Sequence, residues 1–127
     1  MKSQAVLVLG NHAKGDLVQT LLSAGFVPQM WASALHSLEK LRRRRFAAVI
    51  VDRKFINADV LEFILNVRDI NEQIPVVVIG RGKDERIDAK IRRQRRTMIL
   101  NGSRRDNTLG EKLVDTLRMN EGANAQK

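Results

Sequence analysis

The stretch FAAVIVDRKF, Phe46 to Phe55, decides how this chain is read. Phe46 to Val51 is apolar without interruption, which is how a strand covered on both faces reads. The run ends on Asp52 and passes at once into Arg53 and Lys54. Asp52 is therefore either a reactive carboxylate presented at the end of a buried strand or only the polar residue at which that strand stops.

Working outward, two further runs have the same character. Gln4 to Leu9 (QAVLVL) is continuous and apolar and ends at Gly10; Ile74 to Ile79 (IPVVVI) opens with Pro75 near its first residue and closes on Gly80. Val27 to Trp31 alternates as a strand does, but Pro28 has no N–H to give a ladder, so this strand belongs at a sheet edge. Met98 to Leu100 is a short last strand. Between them lie stretches with helical spacing. Asp16 to Ala24 puts Leu17, Val18, Leu21 and Leu22 on one face and is stopped by Gly25. Ser33 to Arg44 carries Ala34, Leu35, Leu38 and Leu41. A third helix follows Asn57, read as its N-cap, with Val60, Leu61, Ile64, Leu65 and Val67. Asp84 to Arg95 is a weaker helix whose apolar side is Ile87, Ala89 and Ile91. Thr108 to Met119 starts with capping-box spacing from Thr108 to Glu111 and buries Leu109, Leu113, Val114 and Leu117.

Strands and helices thus alternate strictly. That pattern predicts an α/β fold, a doubly wound parallel sheet with helices on both faces. Residues 1–119 read as one domain, and the aperiodic NEGANAQK, residues 120–127, as a flexible tail or the start of a linker.

Composition narrows the chemistry. The chain of 127 residues contains no cysteine, which excludes disulfides, thiolate catalysis and Cys-ligated metals. His12 reads as an exposed loop residue and His36 as a solvent-facing helix residue, so no metal is expected. The apolar run in MKSQAVLVLG is too short for a signal-peptide core, and no later segment is long enough to span a bilayer; a cytoplasmic protein is expected. The net charge is +9. Between Arg81 and Arg105 stand ten Lys/Arg and three Asp/Glu, so this segment carries +7 of it. A field of that sign favours anionic partners.

The segments AAVIVD, QIPVVVIG and LLSAGF resemble corresponding parts of the receiver domain of bacterial response regulators, and the likeness extends from Gln4 to Met119. The resemblance implies a CheY-like, flavodoxin-type sheet of order 2-1-3-4-5 with its site at the carboxyl ends of the strands. It places Asp52 at the phosphoacceptor position. A working receiver also needs an acidic pair after the first strand to hold Mg²⁺, which neutralises the transferring phosphoryl oxygens. It needs a Ser or Thr after the fourth strand and a lysine after the fifth. Those positions here are Gly10 and Asn11, Gly80, and Asn101 followed by Gly102; Met98 stands where an aromatic switch residue is usual. The chain therefore resembles a degenerate receiver, a pseudo-receiver without enzymatic activity or cofactor.

Two local readings complete the site. Asp52 as a strand-end carboxylate would accept loop N–H groups or pair with Lys14. The run Gly10 to Gly15 has the Gly-x₄-Gly spacing of half a phosphate loop, but Asp16 and Leu17 follow in place of Lys-Ser/Thr, so it reads as a tight strand-to-helix turn.

Arg92, Arg93, Arg95, Arg96, Arg104 and Arg105 are read as a basic partner face. In the receiver family the fourth helix, fifth strand and fifth helix serve dimers and output partners, so the resemblance points to an acidic protein partner, an output domain or a homodimer. Nucleic acid through the basic segment 81–105 is the competing destination; the absence of an aromatic residue for stacking and of any nucleic-acid-binding signature weighs against it. Arg42 to Arg45 ends a helix, where cations complement the dipole. The expected function is a phosphorylation-independent interaction module of two-component-type signalling, the alternative being a conventional phosphoacceptor using Asp52.

Overall fold

The computed structural model describes residues 4–10, 16–55, 59–101 and 109–125. In chain order the elements are β1 (Gln4–Leu9), α1 (Asp16–Ser23), β2 (Phe26–Trp31), α2 (Ala34–Arg43), β3 (Ala48–Asp52), α3 (Val60–Ile70), β4 (Val76–Ile79), α4 (Glu85–Arg93), β5 (Thr97–Leu100) and α5 (Leu109–Ala125), with a 3-10 turn at Arg53–Phe55 after β3. The strands form one five-stranded parallel sheet of order β2-β1-β3-β4-β5. This is the doubly wound order expected from the sequence.

The period of two along each strand divides the core into two layers. Leu7, Leu9, Val49, Val51, Val76 and Val78 point to one face and are covered by α2, α3 and α4 through Leu41, Phe63, Ile64, Val67 and Ile91. Val6, Val8, Ile50, Val77 and Ile79 point to the other and meet α1 and α5 through Leu21, Leu113, Val114 and Leu117. The central runs look uniformly apolar because both of their faces are covered. β2 lies at an edge, and Pro28 pairs only toward β1, opposite Val6. Truncating one of the fully buried aliphatics, such as Ile64, would cost about 2–5 kcal/mol.

Local chemistry sets the element boundaries. Gly25, at φ +91, ends α1 in a backbone conformation that side chains resist. Ser33 caps α2 by accepting the His36 N–H at 3.3 Å, and Asp84 caps α4 by accepting the Arg86 N–H at 2.9 Å. The cap of α3 is Asp59, which accepts the Glu62 N–H at 3.1 Å, and not the expected Asn57, which lies outside the described residues. An aspartate one residue before the helix has the right reach for the N3 amide.

Two expectations about helices change. In α4 the inward face is centred on Asp88 and Ile91, both fully buried, while Ile87 is 40% exposed. The reason is electrostatic: Asp88 has a cation to meet inside, described below. α5 continues to Ala125, past the Met119 boundary read from the apolar periodicity. The backbone stays helical there although no apolar stripe marks it. Among the described residues no helix is long and apolar enough to cross a membrane.

Candidate functional site

Strand register assembles the site at the carboxyl end of the sheet. Leu9 pairs with Val51, Asp52 with Ile79, and Ile79 with Leu100. Gly10, Asp52, Gly80 and Asn101 consequently sit at or just past the ends of β1, β3, β4 and β5, as a switch-point site requires. Asn11, His12 and Lys14 lie outside the described residues. Asp52 is half-buried, and its Oδ1 accepts the backbone N–H of Lys54 at 3.3 Å. The carboxylate thus shapes the turn that follows its own strand, as a strand-end residue should.

Gly10 and Gly80 close the site as well as leaving it without side chains. A Cβ at Gly10 would lie 3.1 Å from the Asp52 Cβ, so the two strands approach here more tightly than side chains ordinarily allow. Gly80 has φ +103, and its N–H bonds the Leu100 carbonyl at 2.9 Å. A serine or threonine there would have room for its Cβ but would carry the strain of that conformation, so restoring a hydroxyl costs conformational energy.

The family's magnesium can be tested against this donor set. Mg²⁺ is held by carboxylates and water in near-octahedral geometry. Asp52 is the carboxylate at this level, Gly10 supplies none, and the described residues contain no group of three or more His, Cys, Asp or Glu suited to a metal. The described residues do not fit a divalent cation.

Beside Asp52 the structure places something the sequence reading missed. Arg53 reaches across the mouth of the site to α4. Its Nη1 donates to the Gly80 carbonyl at 3.3 Å, and its Nη2 lies 2.8 Å from Asp88 Oδ1. At that distance the guanidinium acts on Asp88 both as an N–H donor and as a charge. The other oxygen, Oδ2, accepts the Gly82 N–H at 2.9 Å. The Asp88 side chain is fully buried and that of Arg53 is 15% exposed. Burial is the largest single influence on the Asp88 carboxyl and pushes its pKa up. Arg53, the Gly82 N–H and the more distant Arg92 together outweigh it, so the pKa lies below the ordinary aspartate value. Asp88 is ionised, and the clamp joins the residue after β3, the β4–α4 loop and α4.

Gly82 is part of the clamp. A methyl group there would overlap Arg53 Nη2 and lie 2.8 Å from both Arg53 Cζ and Asp88 Oδ1. One signal for the clamp was available: Asp84, Asp88 and Ile91 are spaced to share a helix face, so an acid falls within an inward stripe. Its cationic partner is 35 positions away in the chain and cannot be read from spacing.

The basic face is also more differentiated than its sequence implies. Arg92 is exposed and held by Glu85 at 2.7 Å. That pairing raises its pKa. Arg93 is exposed on the last turn of α4. Arg95 and Arg96 form the turn into β5, where Arg96 has φ +51 and donates through Nη1 to the Gln73 carbonyl at 3.1 Å. The turn is braced by Arg68, which donates to the carbonyls of Ile74 (2.7 Å) and Arg95 and to Thr97 Oγ1 (3.1 Å). Burial lowers the Arg68 pKa, with Arg95 and Arg96 adding their repulsion. Arg104 and Arg105 lie outside the described residues. Apolar residues accompany the arginines: Ile87 on α4, Met98 on β5 and Met119 on α5 are 40%, 43% and 74% exposed.

Comparison with known proteins gives a structural answer only. No family model and no curated protein matches the sequence. Among solved structures, the chain is similar to a response regulator receiver protein from Sinorhizobium medicae, with 20% identity, 95% of this chain and 96% of that one covered, and a TM-score of 0.73. It is similar to the signal receiver domain of an HD domain-containing protein from Pseudomonas fluorescens, with 15% identity, coverage of 100% and 96%, and a TM-score of 0.77. A third similar structure is the receiver domain of a sensor histidine kinase from Pseudomonas aeruginosa, solved with magnesium coordinated in its active-site cleft; it has 15% identity, coverage of 94% and 98%, and a TM-score of 0.69. The fold is therefore that of CheY-like receiver domains.

Proposed function

We propose that this chain is a pseudo-receiver: an interaction module of two-component-type signalling that works without an acyl phosphate on Asp52. The observation that carries the reading is the Arg53–Asp88 clamp with Gly80 beneath it. Phosphoryl transfer to an aspartate needs a metal to neutralise the transferring oxygens and donors to receive them. At this site Gly10 and Gly80 bring neither carboxylate nor hydroxyl, and the nearby cation, Arg53, is committed to Asp88. The β4–α4 loop is tied in one arrangement by internal charge.

The output surface in this reading is the α4–β5–α5 face. Ile87, Met98 and Met119 provide apolar anchors, and Arg93 and Arg95 supply unneutralised charge among the described residues. Such a face suits an acidic protein surface or an output domain with an apolar centre. Arginine repulsion opposes a homodimer through the same face unless acidic groups come with it.

The test is chemical. The protein is incubated with acetyl phosphate and Mg²⁺, and intact mass is measured for the wild type and Asp52→Asn. The proposal expects no phosphorylated species in either. A phosphorylated wild type with an unmodified Asp52→Asn would establish the conventional phosphoacceptor instead.

A further inference from the structure

At the opposite end of the sheet lies a cavity of about 510 Å³, lined by Arg42, Arg43, Arg44 and Arg45 together with Phe46 and Ile70. It sits where the α2–β3 connection meets the carboxyl end of α3, on the far side of the molecule from Asp52. We propose that this cavity binds a nucleotide, with the arginines holding its phosphates and Phe46 forming the wall for its base.

Charge carries the first part of the argument. Four consecutive guanidinium groups border one cavity, and among the described residues none of them is in an ion pair. Helix dipoles neutralise only part of this. The carboxyl ends of α2 and α3 both reach the cavity, and each is equivalent to about half a negative charge, so together they offset roughly one of the four cations. The α3 end is already served from within, because Arg68 Nη1 donates to the Asn71 carbonyl at 3.3 Å. Arg44 donates to Gln29 Oε1 at 3.3 Å, a neutral acceptor that leaves its charge intact. All four arginines are exposed. Adjacent exposed like charges repel one another with water screening the repulsion, and a multiply charged phosphate would be drawn to them while accepting several paired N–H bonds from planar guanidinium groups.

Shape and the aromatic wall supply the second part. The site is a half-open concavity and not a flat patch, so it can present several guanidinium groups to one ligand. Phe46 is half-buried and held edge-on by Trp31, with ring centroids 6.2 Å apart and an interplanar angle of 88°. A flat apolar surface beside four phosphate-binding cations suits a ligand with a ring at one end and phosphates at the other. Arg95 and Arg96 lie at the same end of the sheet, before β5 and two strand spacings (about 10 Å) from β3, so an extended polyanion would span both groups. Arg96 gives one N–H to the Gln73 carbonyl, also a neutral acceptor, and so keeps its charge; titration with an oligonucleotide separates the two kinds of occupant.

The experiment follows backbone amide NMR shifts of the whole chain during titration with ADP, with pyrophosphate, and with a short single-stranded oligonucleotide. Expected are saturable shifts centred on residues 41–46 and 70–71, with ADP binding at least several-fold more tightly than pyrophosphate. Arg43→Gln with Arg45→Gln, exposed substitutions that leave the core untouched, should weaken ADP about tenfold or more. Phe46→Leu should reduce the preference of ADP over pyrophosphate while leaving pyrophosphate affinity unchanged. Equal affinity for ADP and pyrophosphate would overturn the nucleotide assignment. So would shifts confined to Arg92–Arg96, binding of the oligonucleotide alone, or no saturable shift with ADP.

Discussion

Arg53 at the carboxyl end of the sheet and Arg42 to Arg45 at its amino end are the same kind of residue in opposite circumstances. Arg53 is almost enclosed, lies 2.8 Å from a fully buried Asp88 and donates to the Gly80 carbonyl. The four arginines after α2 are exposed and meet no carboxylate among the described residues. At one end the cation is met by an internal carboxylate. The other leaves its charge for something outside the chain. Net charge alone, which counts all of these arginines equally, conceals that distinction.

The comparison breaks most visibly through Asp88. Asp88→Ala leaves the Arg53 guanidinium buried without its anion and should destabilise the fold by about 3–5 kcal/mol in urea unfolding. Arg53→Met combined with Asp88→Leu removes both charges and should recover most of that loss. If the double variant were as unstable as the single one, charge would not be what the clamp contributes. Gly82→Ala drives a methyl group into Arg53 and Asp88 and should cost about 1–3 kcal/mol, with smaller losses when Arg53 is already methionine. Gly80→Ser should cost about 1–2 kcal/mol for its positive φ without creating phosphoacceptor activity.

A pH series sharpens the same contrast. Because the folded Asp88 pKa is depressed, its contribution is fully present above the unfolded aspartate value near 3.9 and is lost as pH falls through the lower folded value. Unfolding midpoints of the wild type should therefore drop more steeply below about pH 4 than those of the Arg53→Met, Asp88→Leu protein. Smallest of all, Arg42→Gln with Arg43→Gln at the other end should change stability by no more than about 0.5 kcal/mol, since neither side chain has a carboxylate to lose. A loss comparable with that of Asp88→Ala would erase the distinction between the two ends.

Much of the fold was legible because the central strands are covered on both faces and therefore write unbroken apolar runs, as in QAVLVL, AAVIVD and IPVVVI. Pro28 announced an edge strand by its missing N–H, and the structure puts β2 there. The proposed site could be read only as a set of differences: Gly10, Asn11, Gly80 and Asn101 against a family pattern. The clamp could not, because Arg53 and Asp88 meet through tertiary packing, and because an aspartate in a weakly apolar helix reads as solvent-facing. The same bias made Ile87 look buried, whereas the helix turns its charged Asp88 inward and leaves the isoleucine on the surface. Spacing could place Asp88 on an inward helix stripe, but its partner Arg53 left no periodic trace.

The central claim, that the carboxyl-end site is held shut by internal charge and not switched by a phosphoryl group, is tested most directly with beryllofluoride and Mg²⁺. Amide NMR shifts of Gly80, Gly82 and α4 are followed during the titration. The account predicts that they do not move and that no adduct forms at Asp52. A saturable shift of those amides in the wild type, absent from Asp52→Asn, would contradict it.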